Sequence, residues 1–326
     1  MQSRRRGIVL MNLGTPDAPT PWAVWRYLRA LLDDPRVMPM AAVLRWCLVN
    51  LVIAPFRARA SARLYQAIWT PAGSPLLVHG RELARRLQER LPMDRVVIGM
   101  QCGSPAIARA VAELGNVDEV ILLPLYPQNA NATVGGAVAM ARAALVGVRA
   151  PIRVIPPFFA HPAFVAAVAS RIAAAGDVDH LLFSFHGLPV AQVPCVDSAC
   201  ELGTSDAARD CYRSQCFSTA RHVVAALATM GWDRPWSVAF QSRLGRAEWL
   251  GPSTHSRVVA LGRSGIKCIG VVCPAFVADC LETLHEIGVE EARAFAASGG
   301  ESLRLIPCQN ADDDWVDALV EIVGAT

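Results

Sequence analysis

The sequence predicts an α/β protein of two similar doubly wound, Rossmann-like domains, with parallel sheets and a cleft between them. Three observations carry this. Short apolar runs bounded by Gly and Pro alternate with helix-length segments, the pattern of parallel sheets covered by helices. The stretch L-M-N-L-G-T-P at 10–16 matches F-S-F-H-G-L-P at 183–189: apolar strand, one residue, Gly, one residue, Pro. In the same order, V-I-L-L-P-L-Y at 120–126 resembles V-V-C-P-A-F at 271–276, each an apolar strand broken by proline. A chain of 326 residues holds two domains of ordinary size, which we expect at 1–157 and 158–326, divided after Pro156 and Pro157.

The first strand spans Gly7 to Leu13 and runs into Gly14, Thr15 and Pro16. Thr20 and Pro21 start a helix carrying Trp22, Trp25, Leu28 and Leu32. An apolar segment at 41–56, an Arg-rich helix and a turn at Gly73, Ser74 and Pro75 follow. A helix from Leu77 to Leu91 then precedes a strand from Val96 to Met100. After a helix at 105–114, the strand Val120 to Leu125 is stopped by prolines. The remainder of the first half is an Ala-rich helix at 134–146 and a strand from Ile152 to Ile155. In the second half, a helix at 162–174 leads to the strand Leu181–Phe185, which ends on His186. Strand tips border the ligand crevice in open α/β sheets, so this histidine is either a hydrogen-bonded turn residue or a site residue.

Composition excludes several classes. With 53% hydrophobic and 18% charged residues the chain is globular, and a net charge of +3 gives no case for nucleic acid as main partner. Neither G-x-x-x-x-G-K-[ST] nor a strand-to-helix G-x-G-x-x-G occurs, so no nucleotide is expected. The basic cluster at Arg4–Arg6 is followed by a strand rather than a signal-peptide core, which implies a cytoplasmic protein. No stretch reaches transmembrane length. The uncharged run Trp46–Phe56, flanked by Arg45, Arg57 and Arg59, suits an interfacial helix or a pocket rim, and equally a core helix of the first domain.

Three constellations could carry chemistry. Taken as an α-helix after Pro274, at about 100° per residue, the sequence places Asp279, Glu282, Glu286 and Glu290 within an arc of about 80°. Leu281, Leu284 and Ile287 would face the core. The row is either a solvated face or a path for a hydrated divalent cation or for protons. The second is Cys195, Cys200, Cys211 and Cys216, a C-x4-C, ten residues, C-x4-C block among ten cysteines in the chain. Such a set suits zinc or an iron–sulfur cluster, and the x4 spacing leans toward a cluster. The third is F-Q-S-R-L-G-R-A-E-W-L-G-P at 240–252, where polar Gln241 and Ser242 end a strand and Trp249 is either ordinary core or a wall for a large flat ligand.

These stretches together resemble the ferrochelatase family over nearly the whole chain. The carriers are G-I-V-L-M-N-L-G-T-P at 7–16, G-S-P-L at 73–76 and L-P-L-Y-P-Q at 123–128. Later come S-F-H-G-L-P at 184–189, F-Q-S-R-L-G-x-x-x-W-L-G-P at 240–252 and P-A-F-V-A-D-C-L-E-T-L at 274–284. The resemblance implies insertion of Fe²⁺ into protoporphyrin IX to give protohaem, in a two-domain fold whose last helix packs back. It implies catalytic roles for His186 and Glu282, as proton acceptor or as contacts to the substrate Fe²⁺, with Asp279 and Glu286 continuing the path. Leu13, Ser74, Gln101, Tyr126, Ser242, Leu244 and Trp249 would line the porphyrin pocket. Leu13 is apolar where the coproporphyrin-using branch has tyrosine, which favours protoporphyrin. Gln101 and Cys102 stand where family members often carry Arg-Tyr. The cysteine block is similar to that of bacterial members holding an internal [2Fe–2S] cluster. The resemblance also fits peripheral contact with the inner membrane. The alternatives are a chelatase for coproporphyrin III, or for cobalt and sirohydrochlorin, and a non-catalytic porphyrin or iron–sulfur protein.

Overall fold

The computed structural model describes residues 5–193, 201, 210–243, 245 and 247–324. Two compact units form. The first comprises residues 1–126, 130–156 and 311–326, and the second residues 127–129 and 157–310. In the first, β1 (Arg6–Gly14), β2 (Arg95–Cys102), β3 (Glu119–Pro124) and β4 (Ile152–Val154) lie in the order β2-β1-β3-β4. In the second, β5 (His180–His186), β6 (Trp236–Gln241), β7 (Cys268–Val272) and β8 (Ser302–Leu305) lie in the order β6-β5-β7-β8. Every pairing is parallel. The two orders are identical once the strands of each half are counted from its start, which is what the repeated strand-tip motifs predict.

The first strand of each unit is central because its residues are apolar on both faces, as a strand covered on both sides requires. Ile8 to Met11 are fully buried in β1, as are Leu181 to Phe183 in β5. Around β1 pack Ile107, Val111, Ala137, Ala141 and Leu145, from helices on the flank of the sheet. Around β5 and β7 pack Val258, Ile287 and Phe295. The terminal helix Asp313–Gly324 belongs to the first unit, with Trp315 fully buried and Arg90 bonded to Asp317 and Asp313.

Glycine is required at the tip of β1 and directly after that of β5. Gly14 has φ +100°, and a Cβ there would lie 1.7 Å from the Cys102 carbonyl oxygen of β2. A Cβ on Gly187 would lie 2.8 Å from the Gln241 carbonyl oxygen of β6 and 3.2 Å from the Trp249 ring. The repeated motif thus records a repeated close approach to the neighbouring strand.

Three elements differ from expectation. β8 was not anticipated: S-L-R-L at 302–305 is short and half-exposed, too weak a signal to read. The Ala-rich helix is preceded by a π-helical turn at Asn131–Gly135 and ends at Ala144. The acidic helix does not start after Pro274; it is a π-helix over Glu282–Glu291, continued as α-helix over Ala292–Ala297.

At the start of β5, His180 is buried and its Nε2 lies 2.8 Å from Ser237 Oγ. Burial, aided by the charge of Arg257, pushes its pKa down to about 4. The unfolded chain, with an ordinary imidazole near 6.5, then holds a proton that the folded chain lacks between pH 6.5 and about 4. Stability is therefore expected to fall as pH drops through that window. Urea titrations at about pH 7 and pH 4.5 should show His180→Gln losing less stability on acidification than the native chain.

Candidate active site

β5 delivers His186 at its carboxyl end, half-buried, opposite Gln241 in the register with β6. Its Nδ1 lies 2.7 Å from the Gly187 carbonyl oxygen. A carbonyl only accepts, so Nδ1 carries the proton and Nε2 keeps its lone pair free for an incoming group. The Phe276 ring stands edge-on at 6.1 Å. The Gly187 N–H donates to the Gln241 carbonyl at 2.7 Å, fixing the turn on β6.

Gln241 is buried and tied on two sides. Its Oε1 accepts from Ser184 Oγ at 2.7 Å, and its Nε2 donates to the Glu282 carbonyl at 2.8 Å. This joins the tips of β5 and β6 to the start of the acidic helix. The next residue, Ser242, has φ +66° and turns both of its donors onto one carboxylate. Its N–H reaches Glu286 Oε1 at 2.8 Å and its Oγ reaches Oε2 at 2.6 Å. Burial raises the pKa of Glu286 above the usual carboxylate range. The two Ser242 bonds oppose that rise, the charge of Glu282 adds to it, and His186 opposes it when its ring is protonated. His186, Glu282, Glu286 and Ser242 thus form one electrostatically linked group in the second unit.

The π-helix alters the expected acidic row. With roughly 4.4 residues per turn, a spacing of four falls short of a full turn instead of overshooting it. Glu282 and Glu286 are half-buried, while Glu290 is exposed, 3.3 Å from His285 Nδ1. Among the residues expected to face the core, Ile287 is buried and Leu281 and Leu284 are half-buried. Asp279 stands before the helix and not on that face. Its Oδ1 accepts from Thr283 Oγ1 at 3.1 Å and from the Cys308 N–H at 3.2 Å, and its Oδ2 from Asn310 Nδ2 at 2.8 Å. Asp279 pins the helix start to the loop after β8.

Trp249, half-buried, bridges backbone to backbone with Pro189, and the flanking bonds Val190 N–H to Glu248 O and Leu250 N–H to Leu188 O pair this loop with the histidine turn. Leu244 lies outside the described residues, as do Cys195 and Cys200.

The remaining expected pocket residues sit in the first unit. Leu13 is half-buried at the tip of β1. Ser74 is buried, its Oγ 2.8 Å from Thr15 Oγ1. Tyr126 donates its hydroxyl to Gln101 Oε1 at 2.6 Å, and Gln101 Nε2 donates to the Ala132 carbonyl at 3.3 Å. Burial holds the Tyr126 phenol well above its ordinary pKa. Gln101 therefore anchors a neutral network from β2 to the turn at Asn131–Gly135.

Cys211 and Cys216 are wholly buried at the amino end of the helix Tyr212–Thr229. Burial pushes the Cys216 thiol well up, with a bond to Tyr212 and the nearby Arg213 acting the other way. Between the two cysteines, Tyr212 donates its hydroxyl to the His186 carbonyl at 2.7 Å. Sequence reasoning did not foresee the bonds that Tyr212 and Ser184 make around the histidine turn, and it had Gln241 only as a polar strand end. The tyrosine was hidden inside the cysteine block, and Ser184 read as an ordinary strand residue. Among the described residues, no group of three or more His, Cys, Asp or Glu side chains is set to hold a metal ion on its own.

Comparison with known proteins gives one family. The sequence model of a family described as Ferrochelatase matches residues 5–326. A ferrochelatase of Coxiella burnetii (strain CbuG_Q212) is 41% identical, the match covering 97% of this chain and 92% of that protein. One of Bdellovibrio bacteriovorus is 40% identical, and one of Legionella pneumophila (strain Lens) 39% identical, each match covering 98% of both chains. Among solved structures, SirB from Bacillus subtilis with Fe³⁺ superposes with a TM-score of 0.51 at 13% identity, over 98% of this chain and 94% of that one, a likeness of fold alone.

Proposed function

Because the chain belongs to the ferrochelatase family, metal-inserting lyases of haem biosynthesis that act on a porphyrin and Fe²⁺, we propose that His186 is the base that takes the pyrrole protons. Insertion breaks two pyrrole N–H bonds and forms bonds from the ring nitrogens to Fe²⁺, so two protons must leave. The observation that carries this reading is the Nδ1–H bond to the Gly187 carbonyl, which leaves Nε2 as a free acceptor at a strand tip. Glu286, raised by burial and clamped by Ser242, is suited to receive a proton next, and Glu282 stands beside it for metal approach. Asp279 contributes by anchoring the helix that carries both.

The porphyrin contacts are assigned to Leu13, Ser74, Gln101, Tyr126, Ser242, Leu244 and Trp249. A neutral Gln101–Tyr126 pair and an apolar Leu13 favour the less carboxylated macrocycle, protoporphyrin IX. Anaerobic turnover should rank protoporphyrin IX with Fe²⁺ above coproporphyrin III with Fe²⁺ and above sirohydrochlorin with Co²⁺. A reversed ranking overturns the substrate assignment, and tight porphyrin binding without turnover would make the chain a carrier.

The cysteine block is proposed to hold a [2Fe–2S] cluster. Cys211 and Cys216 fit such a group, because bound thiolates are buried negative charges and these two sit at a helix amino end beside the largely buried Arg213. Cys195 and Cys200 complete the donor set. Bound there, the cluster supplies a one-electron centre and a cross-link. Anaerobic protein should carry about two iron and two sulfide per chain, and zinc without sulfide would replace this reading.

Peripheral attachment to the cytoplasmic face of the inner membrane is proposed for the segment 42–56. Val43 (78% exposed), Leu44 (60%), Leu51 (61%) and Phe56 (79%) present an apolar face to solvent. No described helix is long and apolar enough to cross a membrane. Vesicles of anionic lipid at low salt should retain the protein, and Leu51→Glu with Phe56→Glu should release it.

A further inference from the structure

The first sheet runs β2-β1-β3-β4, so β2 is an edge strand. Along that edge, between the helix Pro75–Arg90 and the helix Ile107–Ala112, lies a cleft of about 450 Å³. Four arginines line it: Arg81 and Arg85 from the first helix, Arg95 from the start of β2 and Arg109 from the second helix. We propose that this cleft binds a small polyanion, a metabolite with two or more phosphate or carboxylate groups. Arg81 and Arg95 are exposed and have no ion pair or side-chain hydrogen bond among the described residues. Arg85 is shared between Glu82 at 2.7 Å and Glu89 at 2.5 Å, and Arg109 is held by Glu113 at 3.0 Å. Those are exposed pairs that add little to the fold, so an oxyanion can exchange for them. Guanidinium groups take phosphate and carboxylate through two parallel hydrogen bonds, which is why four of them around one cleft select that chemistry.

The backbone at the floor adds a donor and limits the size of the ligand. An edge strand turns every second N–H away from its neighbour, toward the open side. On β2 the Val96 N–H donates to Gln88 Oε1 at 3.0 Å, and the Met100 N–H donates to the Pro105 carbonyl at 2.7 Å. Ile98 stands midway between them and lines the cleft, so its N–H points the same way, and no described residue caps it. With both flanking positions capped, the edge cannot accept a further strand, which excludes an extended peptide as the occupant. One open N–H surrounded by guanidinium groups suits a single oxyanion, with the remaining anionic groups reaching the arginines. The volume is that of a small-molecule site.

The test is calorimetric titration of the full chain with pyrophosphate and, separately, with citrate, at physiological ionic strength. At least one of them should bind at a single site per chain, and the tighter of the two names phosphate or carboxylate as the preferred group. Arg81→Gln combined with Arg95→Gln should weaken binding at least about tenfold, the effect of losing a charged hydrogen bond. Both arginines are exposed, so the fold should be kept. Arg142→Gln combined with Arg149→Gln removes the same charge from exposed positions outside the cleft. Because charges more than about 8 Å apart are screened at this ionic strength, that pair should change affinity by less than about twofold. In isotope-labelled protein the Ile98 amide resonance should move during the titration. Failure of both probes to bind at millimolar concentration overturns the proposal. So does equal weakening by the two double substitutions, which would mean diffuse attraction to net charge, or an Ile98 amide that stays still while the probe binds.

Discussion

His186→Ala is expected to slow Fe²⁺ insertion by about 10²- to 10⁴-fold, the usual contribution of a positioned general base. The loss should fall on kcat. The residues assigned to porphyrin contact lie elsewhere, on the loop paired to the turn through Trp249 and Leu250 and in the first unit. Truncation leaves the Gly187 carbonyl without its imidazole donor, but the group is at the edge of a half-buried turn where water can replace it. The fold should therefore survive, as circular dichroism and porphyrin quenching would check. The measurement is the anaerobic loss of porphyrin fluorescence with Fe²⁺. A rate within about threefold of native would remove His186 from the role of base.

Asp279→Ala is expected to cost about 3–5 kcal/mol of stability. Three buried or half-buried donors, Thr283 Oγ1, the Cys308 N–H and Asn310 Nδ2, would lose their acceptor at once. The damage would not stay local. Asp279 ties the helix start to the loop after β8, and Glu282 begins that helix, so activity should fall along with the urea midpoint. Asp279→Asn keeps two acceptor sites on one oxygen and should recover part of both. Glu290→Gln, on the same stretch but exposed, should change stability by no more than about 0.5 kcal/mol. Equal effects at 279 and 290 would contradict the anchoring role.

What could be read from the sequence depended on how local the signal was. The strand tips were legible, because an apolar run stopped by Gly and Pro needs only neighbouring residues to be recognised. The glycine in that motif turned out to have one physical cause in both halves, the carbonyl of the adjacent strand at Cys102 or Gln241. The acidic stretch was legible in its membership and misread in its geometry. Angular reasoning at an α-helical period set Asp279 beside Glu282, whereas the helix begins three residues later and winds as a π-helix. Nothing local announces that choice, and the helix start also makes a bond to Gln241, 41 residues away, that the sequence does not show. Tyr212 was illegible for the same reason: its one informative contact spans 26 residues.

Ser242 carries a lesson for anyone who would harden this enzyme. Its left-handed backbone, φ +66°, is a conformation glycine adopts without penalty and serine adopts at a cost of about 1 kcal/mol. Ser242→Gly would relieve that cost but keep only the N–H bond to Glu286 and lose the hydroxyl one, which is worth about as much or more when the acceptor is a carboxylate. The backbone strain at this position is held in place by the carboxylate it serves. Engineering for heat tolerance should therefore leave Ser242 alone, because a glycine there would trade a fixed carboxylate for a loose one with no gain in melting temperature.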